Sequence, residues 1–300
     1  MEFARPIRYV YCRLQGAVVP AAFPAETIPA TVRENLPGSI SVSTVGPLLA
    51  EYRRRQHFSQ LDLGMVAEVS PRHISFIETG RSQPSREMLL RLADSLGLSL
   101  HESNLLLHAA GYAAAYASFH LDAPAMQPVR DALALMLEKQ NPYPALVLDG
   151  DWNILMTNTG QQRLAASLLK VKALPDTINL LELVFDANGY RPLIANWEDV
   201  ASQLLRRLRR QVIAYSRPGH TALLERLLTL DPPSRWQQPR LPGTDAPVLT
   251  IDIRVGHRVV KMFSTLSQFG TALDVGTEEI HIENYFPANQ DAREFFAGMK

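Results

Sequence analysis

The chain has 300 residues, 46% apolar and 20% charged, which is typical of a soluble globular protein and sufficient for two domains. Lys and Arg balance Asp and Glu at 30 each, so overall charge does not indicate a nucleic-acid partner, although a local basic face can still contact phosphates. The single cysteine, Cys12, excludes an intramolecular disulfide and a multi-cysteine zinc site. The sequence shows neither a membrane-spanning apolar run nor a secretion signal, so we expect a cytoplasmic protein with no membrane partner.

Residues 1–44 differ from the rest of the chain because they show no helical or strand period. They contain five prolines, Pro6, Pro20, Pro24, Pro29 and Pro37. This composition predicts a disordered N-terminal tail. The alternative is an arm that grasps DNA through Arg5, Arg8 and Arg13.

Residues 45–112 have apolar positions at spacings of three and four, which is typical of helices. The polar residues between them predict five short helices, at about 46–56, 60–67, 71–79, 85–96 and 101–110. We therefore expect an all-α five-helix domain at 45–112, followed by a linker at 113–125.

Residues 126–300 mix the two periods and predict an α+β domain. Helices are expected at 126–139, 159–169, 177–185 and 196–215, and after Pro287. Strands are expected at 143–148, 154–157, 248–255, 259–266 and 279–285, forming an antiparallel sheet with a hairpin turn at 255–258.

Two helices of the first domain are joined by a very short turn. Residues 59–81 read SQLDLGMVAEVSPRHISFIETGR. Ser59 and Ser70 are good N-caps, Pro71 suits the first helical position and Gly80 suits a left-handed helix end. Three residues separate the helices, which must cross steeply, and Gly64 is small where they meet.

This segment, together with PSREMLLRLA at 84–93 and LGL at 96–98, resembles the Xre-type helix-turn-helix. The resemblance implies a DNA-binding domain. One departure is Glu68, which stands where the family often has glycine. A left-handed non-glycine residue there costs about 1 kcal/mol.

The resemblance implies that helix 71–79 enters the major groove with its N-terminal part near base edges. Arg72 is the best candidate base reader, because arginine can bind guanine through two hydrogen bonds. Phe76 is either a thymine contact or part of the core. The candidate DNA-binding residues are Ser59, Gln60, Pro71, Arg72, His73, Ser75, Phe76 and Arg81, with Ser59, Gln60 and Arg81 expected at phosphates.

The run Arg53-Arg54-Arg55 cannot act as one patch, because successive helical residues point about 100° apart. The Xre-type resemblance implies a structural ion pair between Arg53 and Glu78. We expect Arg54 and Arg55 to form a solvated face, with phosphate contact as the alternative.

The second domain contains motifs that resemble the MmyB-like ligand-binding domain. They are PYPA at 142–145, VLDGDWN at 147–153, Asn158, NWE at 196–198, FGTALDV at 269–275 and IENYFPA at 282–288, preceded by AAG at 109–111. The resemblance implies a PAS-like fold, a curved antiparallel sheet with helices over one face, and a bound fatty acid.

A fatty acid requires an apolar pocket. We predict that it is lined by Trp152, Leu155, Met156, Phe185, Trp197, Met262, Phe263, Phe269 and Phe286, although each of these also suits an ordinary core. Available cations for a carboxylate are Arg191, Arg206 and Arg209. The alternative is a solvated helix face formed by Arg206, Arg207, Arg209 and Arg210.

Catalysis is not indicated. The chain has no G-x-S-x-G elbow and no P-loop, and His101 with His108 makes an incomplete metal site. We therefore expect neither an enzyme nor a metal nor a cofactor beyond the bound fatty acid.

The sequence predicts a regulator that binds double-stranded DNA as a homodimer and senses a small apolar ligand. The alternative is a lipid-binding or protein-interaction module whose helix-turn-helix does not read DNA. Its support is the balanced charge of the whole chain.

Overall fold

The structure is a computed structural model that describes residues 45–169, 178–215, 217–238 and 248–299. The chain divides into two compact units, and their described parts are residues 45–117 and 118–299. The expected tail at 1–44 lies outside the described residues.

The described part of the first unit contains five helices, as predicted, and each end lies within one residue of its predicted position. They are α1 (Val45–Arg55), α2 (Gln60–Ala67), α3 (Pro71–Glu78), α4 (Arg86–Ser95) and α5 (Leu100–Ala109). Four begin at a serine whose side chain accepts a backbone N–H, namely Ser59, Ser70, Ser85 and Ser99. Their apolar faces meet in one core that includes Leu49, Leu63, Ile74, Ile77, Leu92 and Leu106.

The crossing of α2 and α3 depends on two backbone positions. Glu68 is left-handed, with φ 54° and ψ 39°. A Cβ atom at Gly64 would lie 2.6 Å from the carbonyl oxygen of Val69, so only glycine fits there. The short turn thus combines one strained residue with one direct backbone contact.

Arg53 and Glu78 join α1 to the end of α3. Arg53 Nε lies 2.6 Å from Glu78 Oε1, and Arg53 Nη2 lies 2.8 Å from Glu78 Oε2. Arg53 Nη1 also donates to the Phe58 carbonyl at 2.8 Å, and Gln60 Nε2 donates to Glu78 Oε2 at 2.8 Å. The two charged side chains are 11% and 7% exposed. The pair is therefore shielded from water and fully hydrogen-bonded.

The pKa of Glu78 reflects two opposing effects. Burial alone would raise this pKa, but the hydrogen bonds from Arg53 and Gln60 and the positive charges nearby outweigh burial and lower it below its usual value. The folded domain thus holds Glu78 in its ionised form.

The second unit has the predicted α+β composition. Its helices are α6 (Gln127–Gln140), α7 (Thr159–Leu168), α8 (Leu180–Phe185), α9 (Trp197–Tyr215), α10 (Pro218–Leu228), α11 (Val275–Glu279) and α12 (Gln290–Gly298). Its strands are β1 (Ala145–Leu148), β2 (Ile154–Thr157), β3 (Ile251–Val255), β4 (Arg258–Gln268) and β5 (His281–Pro287). They form an antiparallel sheet in the order β2-β1-β5-β4-β3.

Helices α10 and α11 were not predicted. Helix α10 begins without a side-chain cap, and Pro218, which suits a helix start, suits a turn equally well beside Gly219. Helix α11 has only five residues, too few for a helical period.

Helices cover both faces of the sheet, so the expectation of helices over one face is wrong for this chain. On one face, Val147 and Ile282 pack with Leu133 and Leu137 of α6. On the other face, Leu146 and Leu148 pack with α8, α9 and α10. All four residues of β1 are buried because apolar side chains project to both sides of this strand.

Removal of Arg53 should weaken the first unit more than removal of both partners. Arg53→Met leaves a buried carboxylate without its cation, which should cost about 3 kcal/mol, whereas Arg53→Met with Glu78→Leu removes both charges and should cost less. Native-state hydrogen exchange of amides in α1 and α3 measures the local free energy.

The matched control is Arg54→Met, one position along the same helix, where the side chain is exposed. We expect this change to stay within about 0.5 kcal/mol. If the double variant is less stable than Arg53→Met alone, the ion pair is not the stabilising unit.

Candidate functional site

Helix α3 presents Arg72 to solvent. Ser70 caps the helix, its Oγ accepting the His73 N–H at 3.2 Å. The apolar stripe of the helix is buried, so Arg72 on the opposite side is exposed, with its guanidinium carbon 5.3 Å from the centroid of the Phe76 ring. Phe76 is half-buried, and its ring stabilises the guanidinium of Arg72 by a cation–π contact.

The remaining candidates on α3 also lie near its outer surface. Pro71, His73 and Ser75 are half-buried, and the Ser75 carbonyl accepts the Thr79 hydroxyl at 2.7 Å. The first five residues of α3 thus include an exposed cation and a half-buried imidazole and hydroxyl.

The candidate phosphate contacts differ in what their side chains already bind. Ser59 and Asp62 form a reciprocal capping box, with distances of 3.1 and 2.9 Å. The Gln60 amide donates to Glu78, as described above, so it holds α2 to α3. Arg81, after the end of α3, is exposed.

Arg55 was expected to be solvated, and this expectation is wrong. Its Nη2 lies 2.5 Å from Oε1 of Glu102, which is buried on α5. Glu102 also accepts the Ser99 N–H in the capping box of α5. Arg54 remains exposed, so the three consecutive arginines have three different surroundings.

The second unit contains a cavity of about 510 Å³ between the sheet and helices α7, α8 and α9. Most of its lining is aliphatic, from Leu146, Leu164, Leu180, Leu181, Val184, Ile194, Val200, Leu204, Val248, Leu249, Ile251, Ile253, Met262 and Leu266. Its polar lining residues are Gln161, Tyr190, Gln203, Arg207, Arg210, Ser264, Glu283 and Tyr285. Such a volume and lining suit an elongated apolar molecule with a polar end.

Arg207 of α9 is the half-buried cation in this lining, whereas Arg210 is exposed. Its guanidinium carbon lies 4.2 Å from the centroid of the Trp152 ring. Burial lowers the pKa of Arg207, while the negative charge of Glu283 acts in the opposite direction. Across the described ranges of the chain, no carboxylate forms an ion pair with Arg207.

Glu283 of β5 faces Arg207 from the sheet side of the cavity. It is 4% exposed, and burial raises its pKa, while Arg207 and hydrogen bonds from Ser264 and Tyr285 act to lower it. Burial, together with the charge of Glu283, raises the pKa of Tyr285 as well. The Oε2 atom of Glu283 is buried and has no hydrogen-bond partner among the described residues.

A smaller cavity of about 320 Å³, open to solvent, shares Arg207, Arg210 and Leu266 with the first. Its other lining residues are Gln211, Ala214, Gln268 and His281. Burial lowers the pKa of His281, so its imidazole favours the neutral form. A mostly aliphatic space thus joins a mostly polar one at the two arginines of α9.

Of the nine predicted pocket residues, Met262 lines the large cavity. Trp152 lies beneath Arg207, and its indole N–H donates to Gln211 Oε1 at 2.8 Å. Phe185 and Trp197 pack edge to face at 5.0 Å in the adjoining core. These three rings therefore support the cavity from outside its lining.

The other five predicted pocket residues lie away from the cavity lining. Leu155, Met156 and Phe269 belong to the core beneath α6, on the far face of the sheet. Phe263 and Phe286 stack at 5.6 Å on neighbouring strands. Each follows a cavity-lining residue, Met262 or Tyr285, so strand alternation turns it to the other face.

The cations that the sequence offered for a carboxylate are also engaged elsewhere. Arg191 pairs with Asp231 at 2.6 Å, and Arg206 donates to the Trp236 and Gln238 carbonyls at 3.0 Å. Arg209 lies over the Trp236 ring at 5.9 Å. The expectation that Arg207 lies on a solvated face is wrong, because its helical spacing from Val200 and Leu204 places it on their apolar stripe.

Within the described part of the chain, no three His, Cys, Asp or Glu side chains are grouped so that they could hold a metal ion. A search of the same residues finds no helix with the length and apolarity that a membrane span requires.

Comparison with solved structures finds short matches. The restriction-modification controller protein C.AhdI from Aeromonas hydrophila is 24% identical, over 21% of this chain and 94% of its own, with a TM-score of 0.20. Two structures of the clp gene regulator ClgR from Corynebacterium glutamicum are 28% and 27% identical, over 25% and 35% of this chain and 91% and 97% of their own, each with a TM-score of 0.21. No curated protein matches.

Family models match both units. Residues 49–103 match the helix-turn-helix model. Residues 129–298, more than half of the chain, match the model of the MmyB-like transcription regulator ligand binding domain. The protein therefore belongs to the MmyB-like family, as a DNA-binding transcription regulator that carries a ligand-binding domain.

Proposed function

We propose that the protein binds a specific operator through α3 and senses a fatty acid in the cavity of its second unit. The observation that carries the proposal is the pairing of a mostly aliphatic cavity of about 510 Å³ with a half-buried cation, Arg207, that forms no ion pair among the described residues. The acyl chain of the fatty acid would bind the aliphatic lining, and its carboxylate would bind the guanidinium of Arg207.

The energetics support such a ligand. Each buried methylene contributes roughly 0.8 kcal/mol, so a chain of about ten carbons binds well with few polar contacts. An ionised carboxylate also restores the electrostatic stabilisation that burial takes from Arg207, through charge-assisted hydrogen bonds.

The DNA-binding part of the proposal depends on Arg72. It is exposed near the N-terminus of α3, and Arg81 is exposed just beyond the end of that helix. Arg72 is placed to bind a guanine edge, and Arg81 is placed to bind a phosphate. We further propose that two copies bind half-sites about one helical turn apart.

A protein-interaction module is the second candidate, and the exposed face of α2 favours it. Leu61, Met65 and Val66 are 59%, 73% and 56% exposed, although they are apolar. Selection of random DNA fragments by the purified protein separates the candidates, because a module that does not read DNA enriches no sequence.

Arg72→Ala should weaken operator binding by about 1–3 kcal/mol and relax the preference at one base pair. The reason is loss of a two-hydrogen-bond contact to one base. Binding to a set of single-base operator variants measures both effects at fixed salt.

Arg91→Ala is the control, because Arg91 is an exposed arginine on α4, away from the proposed recognition helix. It should leave the base preference unchanged. Equal weakening on all sequences by Arg72→Ala would make Arg72 a phosphate contact instead.

Arg207→Met should weaken binding of tetradecanoic acid roughly tenfold or more, because a hydrogen bond to a charged group contributes about 1.5–3 kcal/mol. Methionine keeps the apolar packing on Trp152. Arg209→Met is the control on the same helix, since Arg209 is exposed and is not part of the cavity lining. Titration calorimetry on delipidated protein measures both.

Ligand should also change operator affinity, typically about 5- to 150-fold, if it favours one arrangement of the protein. The measurement is operator binding with and without saturating tetradecanoic acid. Binding of the acid with unchanged operator affinity would make the ligand structural and contradict the sensor proposal.

A further inference from the structure

Glu283 Oε2 is a buried hydrogen-bond acceptor in the cavity lining that has no donor among the described residues. Glu283 lies on β5, the middle strand, and its direct cross-strand neighbours are Leu146 on β1 and Leu266 on β4. Neither neighbour offers a donor. Ser264 and Tyr285 contribute hydrogen bonds to the carboxylate, yet Oε2 remains buried without a partner. Buried carboxylate oxygens are normally hydrogen-bonded, so this atom points to a ligand donor.

A simple fatty acid does not supply that donor. Its ionised carboxylate has acceptors only, so it pairs with Arg207 but offers nothing to Glu283. Its negative charge would also add to the burial that already raises the pKa of Glu283, which is unfavourable for the ionised pair. The ligand that fits both residues has an anion for Arg207 and a neutral donor for Glu283. A cationic donor is disfavoured because Arg207 and Arg210 already line the same space.

The smaller cavity provides room for a head group beyond the donor. Arg207 and Arg210 are one helical turn apart on α9, and both line the two cavities. The aliphatic space lies on one side of them and about 320 Å³ with Gln211, Gln268 and His281 lies on the other. This volume is larger than a carboxylate requires, so it suits an extended polar head.

We propose that the ligand is an N-acyl amino acid. Its acyl chain occupies the large cavity, its amide N–H donates to Glu283 Oε2, and its carboxylate binds Arg207 and Arg210. The inference rests on the proposed function, because it names the head group of the acyl ligand in the same cavity. In this ligand the amide N–H gives Glu283 a hydrogen-bond donor, which a fatty acid lacks.

The test uses delipidated full-length protein and three probes with the same acyl chain. They are tetradecanoic acid, N-tetradecanoylglycine and N-tetradecanoylsarcosine. The sarcosine conjugate keeps the chain and the carboxylate but has an N-methyl group in place of the N–H. We expect the glycine conjugate to bind at least tenfold more tightly than the sarcosine conjugate in titration calorimetry.

A variant separates the hydrogen bond from the bulk of the methyl group. In Glu283→Met the ratio of the two affinities should fall to about one, because no carboxylate accepts the N–H. Glu294→Met, at an exposed glutamate of α12 outside both cavity linings, is the control and should keep the wild-type ratio. Should Glu283→Met fail to fold, ¹⁵N-labelled N-tetradecanoylglycine bound to the wild-type protein gives the second measurement. Its amide proton should resonate downfield and be protected from exchange.

The outcomes distinguish the two proposals. Equal affinities for the glycine and sarcosine conjugates, with tetradecanoic acid also bound, mean that Glu283 accepts no hydrogen bond from the ligand. The fatty-acid proposal then stands and the N-acyl amino acid is overturned. An unchanged ratio in Glu283→Met, or an unprotected bound amide, overturns it as well. Failure of all three probes to bind removes the proposed function and this inference together.

Discussion

The central position of β5 in the sheet is the constraint on which the second unit depends. Both faces of the sheet are covered, so side chains that alternate along this strand enter one apolar layer or the other. Ile282 enters the core beneath α6, while Glu283 and Tyr285 enter the cavity. Because β5 has a neighbour on each side, neither polar residue can reach solvent at a sheet edge. Their polar groups must be satisfied by the protein or by what fills the cavity.

Helix α9 supplies the matching charge to this strand. Arg207 follows the apolar residues Val200 and Leu204 on the helix face that lines the cavity. The Trp152 ring holds its guanidinium from one side, and Glu283 acts on it electrostatically. One helix and one strand thus provide a cation and an acceptor in a space that is otherwise mostly aliphatic. This arrangement suits an amphiphile better than a purely apolar ligand.

The helix-turn-helix unit uses most of its buried polar groups for its own stability. Arg53, Glu78 and Gln60 join three helices, and Arg55 with Glu102 joins α1 to α5. The left-handed Glu68 costs about 1 kcal/mol, which the close contact of α2 with α3 offsets. What remains exposed on α3 and just beyond it is a small set headed by Arg72 and Arg81. The selectivity of DNA binding then depends on few side chains, each of which can be tested singly.

The sequence predicts the helix limits of the first unit correctly, because Ser59 and Ser70 act on backbone groups only three residues away. It also determined most strands, whose alternation is local. It did not determine the cavity: it pointed to large aromatic side chains, and of that set Met262 lines the space. The sequence also did not identify Arg207, rather than Arg191, Arg206 or Arg209, as the cation that lines the cavity. Tertiary structure decided both, because a cavity forms where helices from distant parts of the chain leave a sheet face unfilled. The local sequence pattern does not predict how well surfaces from distant segments pack together.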